Sequence, residues 1–315
     1  MVFTLLQHPP AWNLPSIDVA CIEAQVYLRL AGAAFQVEDV PTRVGAEQIP
    51  ALEDGDEVVM ASESGGIPAY LRETKGIDLD SALTAAERAD AEALSALAHL
   101  RLRAALHYSL WLEEANYKLC QHAYAPALPF PLNRVLAYLA HKQADAQFQT
   151  GEVDAAHVRA EVYRQAERAY AALATRLGEQ RYFFGNRPSR VDAAVFAHLL
   201  FLEKAPLVET SLKTSAFSHP NLVKYVKRLE LEVLSARPDM PREPPPFTRT
   251  PGQSSRRGWW GGKVKKEDTR SEEEKRLTSR AWYFVGAQVA AVIAYVVFSS
   301  LEVEEVELEE DYEED

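Results

Sequence analysis

The run 281–301, AWYFVGAQVAAVIAYVVFSSL, is the one long uncharged apolar stretch in this 315-residue chain. It divides the chain, because what precedes it is built to fold in water and the run itself needs an apolar environment. As a helix rising about 1.5 Å per residue it spans roughly 31 Å, close to the hydrocarbon thickness of a bilayer. Nine of its residues are Val, Ile, Phe or Leu, each favouring insertion, and only Gln288 opposes it strongly. Trp282 and Tyr283 stand at its start, where amphipathic rings prefer the headgroup level. A buried core helix is the alternative, and the flanks argue against it. A charged, proline-rich stretch comes before, and 10 of the 14 residues after it are Asp or Glu. The expectation is a transmembrane anchor near the C-terminus.

Lys275, Arg276 and Arg280 precede the run and no Lys or Arg follows it, which predicts that the N-terminal body stays in the cytosol. No basic segment followed by an apolar core opens the chain, so no secretory signal is expected. The formal net charge is −12, but ten negative charges fall after Leu301, leaving about −2 for the rest. A nearly neutral body has no general field for nucleic acid. Only two cysteines occur, Cys21 and Cys120, both in apolar helix-like surroundings, which excludes a disulfide framework. The eight histidines are scattered, with no Cys or His pair at metal-ligand spacing, so no metal or cofactor is expected.

The first 80 residues mix strand and helix signals. Val2–Leu6 and Phe35–Val40 read as strands, with a helix between them that carries Ile17, Ala20, Cys21, Ala24, Tyr27 and Leu28 on one side and closes at Gly32. Ile49–Leu52 and Glu57–Ala61 flank the Asp54-Gly55 turn and read as a hairpin. Ser62 and Ser64 suit the cap of a helix running through Leu71. From Thr84 onward the pattern is helical. Thr84 and Glu87 form a capping box opening one long helix through Trp111. A proline-rich stretch, 125–133, interrupts; a helix over 154–177 ends at Gly178; Ser189 and Asp192 cap an apolar helix; and Pro220 opens the last one, to about Leu234. Six prolines within 238–251 followed by Ser and Gly mark an extended or disordered linker. In it, Arg256, Arg257, Lys263, Lys265 and Lys266 interleave with Trp259 and Trp260, either as a solvated charge run or as a contact for anionic lipid.

Ile49-Pro50-Ala51-Leu52-Glu53-Asp54-Gly55-Asp56, followed by Ser62-Glu63-Ser64, resembles the glutathione-transferase pattern of a thioredoxin-like domain. That resemblance implies a cis Pro50 and an acidic-Ser pair that would hold the γ-glutamyl end of glutathione. Three further stretches are similar to metaxins: Leu14-Pro15-Ser16-Ile17-Asp18-Val19-Ala20-Cys21 with Tyr27-Leu28; Pro129-Phe130-Pro131-Leu132-Asn133 after Trp111–Tyr117; and Tyr182–Ala193. The metaxin resemblance covers about residues 1–235 and implies an α/β plus all-α chain. Its parts would be a thioredoxin-like domain (1–80), an all-helical transferase-like domain (81–237), a linker (238–280), the transmembrane helix (281–301) and an acidic tail (302–315). It also implies a non-enzymatic subunit of the mitochondrial outer membrane, facing the cytosol, that serves the sorting and assembly machinery for β-barrel proteins. Its partners would then be the β-barrel insertase, a sister metaxin-like subunit, precursor proteins and membrane lipids. The tail would enter the intermembrane space. Its acids depart from the basic flank usual after mitochondrial anchors, and would serve either as a solubilising terminus or to attract basic segments.

A membrane-anchored glutathione-dependent transferase is the alternative, and it turns on one group. Such an enzyme needs a hydroxyl or thiol at the end of the first strand or the start of the next helix to stabilise the glutathione thiolate. Ser16 alone has the right chemistry there, and its role as helix N-cap is sufficient to account for it; Cys21 is expected in the core. Ser64, Ser189 and Asp192 likewise read as caps, with Asp192 bonding back to the Ser189 backbone. No catalytic residue is therefore expected. The candidate partner-binding residues are Tyr124, Leu128, Phe130 and Leu132, in a stiff apolar loop that either packs against its own helical domain or docks a partner with little loss of entropy.

Overall fold

The computed structural model describes residues 2–40, 49–61, 65–123, 132–148 and 154–234. Ser64, Tyr124, Leu128, Phe130 and the segments 238–280, 281–301 and 302–315 lie outside the described residues, and Leu132 opens a helix.

Four strands form one sheet in the order β2-β1-β3-β4. β1 (Phe3–Gln7) pairs in parallel with β2 (Phe35–Asp39) across the helix α1 (Val19–Leu30). β3 (Ala51–Asp54) runs antiparallel to β1 and turns through Gly55, at φ 67°, into β4 (Glu57–Met60). The Ile49–Pro50 peptide is cis. Alternation along β1 turns Phe3, Leu5 and Gln7 inward, and Leu5 faces Leu52 on β3. Behind the hairpin lies α2 (Gly66–Lys75). Its N-cap is Gly65, in a left-handed conformation (φ 77°), rather than Ser64, and the helix continues past Leu71 to close on Gly76. A Cβ on Gly65 would stand 2.4 Å from that of Ala69, so both the conformation and the space require glycine.

The helical half opens with Thr84 and Glu87 in a reciprocal capping box on α3 (Ala85–Leu97). The single helix expected through Trp111 is interrupted by a π-helical turn (Ala98–Arg103) before α4 (Ala104–Trp111). The wider turn shifts the helical register, so Leu94 and Leu97 are only partly buried whereas Leu102, Ala105 and Leu106 are fully enclosed. Then follow α5 (Glu114–Ala123), α6 (Leu132–Phe148), α7 (Ala155–Leu177), α8 (Arg190–Lys204), α9 (Ser211–Phe217) and α10 (Pro220–Leu229), the last running into a π-helical segment (Glu230–Leu234).

Every residue from Val191 to Leu202 is buried, which makes α8 the axle of the fold. It packs against α1, whose Ile22, Val26 and Leu28 are inaccessible to solvent, and against α3, the π turn, α9 and α10. A helix apolar all round must be covered all round, and the apolar run after Asp192 has this consequence. Among the described residues no helix is long and apolar enough to cross a membrane.

Candidate functional site

The cleft between the sheet half and the helical half has a volume of about 520 Å³. α1 forms one wall with Ala20, Glu23 and Ala24; Pro50 and the start of α2 form the floor; α3 and the π turn close the other side with Ser95, His99 and Arg103. Ala20, Ala24, Ala61 and Ala96 are among its lining residues. Glu23 spans the cleft, accepting from His99 Nε2 at 2.9 Å and from Arg103 at 2.5 Å. Burial pushes its carboxyl up, but the His99 hydrogen bond and the Arg103 charge outweigh burial and hold it below the usual carboxylate range. The cluster thus remains an ionic clasp between the two halves at neutral pH. It was missed in the sequence, where the signal was the one carboxylate among the helix residues that follow Val19.

The place where a thiolate-stabilising group would stand is already occupied by the protein's own hydrogen bonds. Ser16 does not cap α1. The cap is Asp18, whose carboxylate accepts the amides of Ala20 and Cys21 at 2.9 and 3.1 Å. Ser16 is fully buried two residues earlier. Its hydroxyl donates to the His8 carbonyl at 2.8 Å and accepts the Asp18 amide at 3.2 Å, tying the end of β1 to the start of α1. The Gln7 amide extends this tie to the Pro15 carbonyl (2.8 Å) and to Asp39 (3.0 Å). Cys21 is also fully buried, and burial, reinforced by Asp18, raises its thiol well above the ordinary range. That is opposite to the activation a nucleophilic cysteine needs. Tyr27, on the cleft wall, is pushed up to about 12 by burial. Among the described residues no three of His, Cys, Asp and Glu gather closely enough to hold a metal.

Asp192 lies at the other end of the fold's logic, fully buried at the start of α8. One carboxylate oxygen accepts the Ser189 amide and hydroxyl, each at 2.8 Å; the other accepts the Phe183 amide at 3.2 Å and the Tyr225 hydroxyl at 3.0 Å. Burial raises its pKa to about 6 against the pull of these donors. Ser189 and Asp192 are neighbours in sequence, but Phe183 and Tyr225 come from the preceding loop and from α10. Asp192 therefore pins three segments together and stands far from any open surface. Deeper in the same half, His198 shares a 2.8 Å hydrogen bond with Tyr170 and burial lowers its pKa to about 3.

A four-stranded β-α-β, β-β-α unit packed on helices around a buried central helix defines a glutathione-transferase-like protein. Residues 166–229 match the family described as glutathione S-transferase, C-terminal domain. A glutathione transferase from Phanerochaete chrysosporium shares the fold with a TM-score of 0.51 at 14% identity, over 72% of this chain and 96% of that one. Within that class the sequence is more particular. Residues 21–141 match the family described as outer mitochondrial membrane transport complex protein. The chain is 32% identical over 295 residues to the mitochondrial outer membrane import complex protein metaxin of Arabidopsis thaliana, covering 94% of this chain and 92% of that one. It is 31% identical over 257 residues to metaxin-1 of Bos taurus, covering 78% and 80%. The chain belongs to the metaxin family.

Proposed function

We propose that this protein is a non-catalytic subunit of the import complex of the mitochondrial outer membrane, supporting insertion of β-barrel precursors from the cytosolic side. Metaxin membership supports the complex and the membrane. The single observation that supports a non-catalytic role is Ser16: the only hydroxyl at the position transferase chemistry requires is buried and committed to His8 and Asp18. In this reading the transferase-like body is a scaffold, and Glu23, His99 and Arg103 hold its halves in one arrangement.

The run 281–301 anchors the body, the linker 238–280 spaces it from the bilayer, and the acidic tail 302–315 projects into the intermembrane space. The segment Tyr124–Leu132, with Leu128 and Phe130 at its centre, contacts the β-barrel insertase or a sister metaxin-like subunit. Affinity purification of the full chain from mitochondria is expected to recover the insertase. Phe130→Ser with Leu132→Ser should release it while the melting temperature of the body stays unchanged. Retention of the insertase by the double variant would remove this loop from the account.

The transferase alternative makes a separate prediction. A glutathione resin should not retain the full chain in detergent, and no conjugation of an electrophile with glutathione should exceed the uncatalysed rate. Retention, with conjugation abolished by Ser16→Ala in a protein of unaltered melting temperature, would reinstate the enzyme.

A further inference from the structure

α10 is amphipathic in an unusual sense. Its inner face buries Leu222, Tyr225, Val226 and Leu229. Its outer face carries Lys224, Lys227 and Arg228, and the next turn adds Leu231, 68% exposed. These four positions fall at i, i+3, i+4 and i+7, so they form one stripe. Glu230 on the neighbouring face is taken by Lys204 at 2.6 Å, and Glu232 by Arg181 at 2.9 Å. Among the described residues Lys224 and Lys227 enter no ion pair. Arg228 donates to the Arg181 carbonyl and shares Glu232 with Arg181, at 4.0 Å, so the unpaired charge of the stripe rests on Lys224 and Lys227. The result is a positive surface with a projecting leucine, on the last described helix and the π-helical segment that continues it to Leu234.

We infer that this stripe is a docking face for an anionic lipid bilayer. Lysines on one side of a helix with an apolar residue among them match phosphate headgroups above acyl chains. The chain itself supplies the second argument: the same chemistry recurs between Leu234 and the anchor, where Arg256, Arg257, Lys263, Lys265 and Lys266 flank Trp259 and Trp260. A body tethered to a membrane needs only a weak face to settle on it, because tethering turns docking into an intramolecular step. Docking through α10 would fix which side of the body meets the bilayer and which side is left for protein partners. This inference rests on the anchor proposed above.

The test uses the full chain with Leu231→Cys, labelled with an environment-sensitive fluorophore and reconstituted into vesicles. Cys21 and Cys120 are buried and remain unlabelled. In phosphatidylcholine containing phosphatidylserine, lipid-borne quenchers should reach the label, and added salt should withdraw it; in phosphatidylcholine alone they should not. Lys224→Gln with Lys227→Gln should weaken docking, and with it the quenching, by roughly 25-fold, each charge near such a surface being worth about fivefold. Arg168→Gln, which removes an exposed positive charge that belongs to α7 and not to the stripe, should leave it unchanged. Quenching that ignores phosphatidylserine or survives the double variant overturns the docking face. Extraction by alkaline carbonate reports on the anchor separately: an inextractable chain with a water-exposed label sinks docking alone, and an extractable chain sinks the anchor whatever the label reports.

Discussion

Replacing Asp192 by alanine is expected to lower the melting temperature by roughly 10 °C, the largest effect of any single substitution considered. The side chain is fully buried and accepts from Ser189, Phe183 and Tyr225, which belong to three segments. Truncation takes the acceptor from the buried Ser189 and Phe183 amides and from the Ser189 hydroxyl, at about 1–3 kcal/mol each, and leaves the Tyr225 phenol only the Asp192 carbonyl at 3.3 Å. A loss of about 3–4 kcal/mol corresponds to ~2–4 °C per kcal/mol in a body of this size. Asp192→Asn keeps the shape but turns an amide group toward donors, so it should recover only part of the loss. Scanning calorimetry decides this, and a change below about 2 °C for the alanine variant would mean that the cluster is not a structural pin.

The second large effect concerns acid. His198 is held neutral, its pKa lowered to about 3 by burial, whereas an unfolded histidine titrates near 6.5. The unfolded chain therefore binds the proton first, and stability present above about 6.5 is lost as the pH falls toward 3, at about 1.4 kcal/mol per unit. Asp192 acts in the opposite sense. Its pKa is raised to about 6, so its contribution is fully present below the unfolded value near 3.9 and is lost as the pH rises through 6. Between pH 6 and 4 the two largely offset each other. Measuring wild type against His198→Gln at each pH isolates the histidine, because Asp192 is common to both. Glutamine retains a polar partner for Tyr170 and does not titrate. The stability gap between the two should move in the variant's favour by about 1.4 kcal/mol for each unit below 6.5. Parallel curves would show that His198 is not held neutral in the fold.

Much of the architecture was legible because local chemistry and the long-range fold agree. Asp54-Gly55 between two apolar runs allows little but a hairpin, and Thr84 with Glu87 marks a helix start wherever it occurs. The misses have the opposite character. Ser16 and Asp18 are both capping residues two positions apart, and the choice between them depends on the His8 carbonyl, which only the folded end of β1 brings within 2.8 Å. The π turn at 98–103 leaves no mark in a pattern of apolar positions, since it changes register without changing residue type. The Asp192 bond to Ser189 could be read from a spacing of three, but Tyr225 stands 33 residues away and no local rule points to it. Glu23 was visible as the one carboxylate of α1, yet its partners His99 and Arg103 lie on another half of the fold. The loop holding Phe130 was singled out by its prolines and lies outside the described residues.

That this transferase-like body serves protein import and not chemistry is tested most directly in mitochondria. Mitochondria depleted of this chain are supplied with a radiolabelled β-barrel precursor, and its assembly into the outer membrane is followed on native gels. Assembly should fall several-fold and be restored by the full chain, and equally by a full chain in which Ser16→Ala removes the one hydroxyl at the position transferase chemistry requires. Undiminished assembly in the depleted mitochondria would contradict the proposed function.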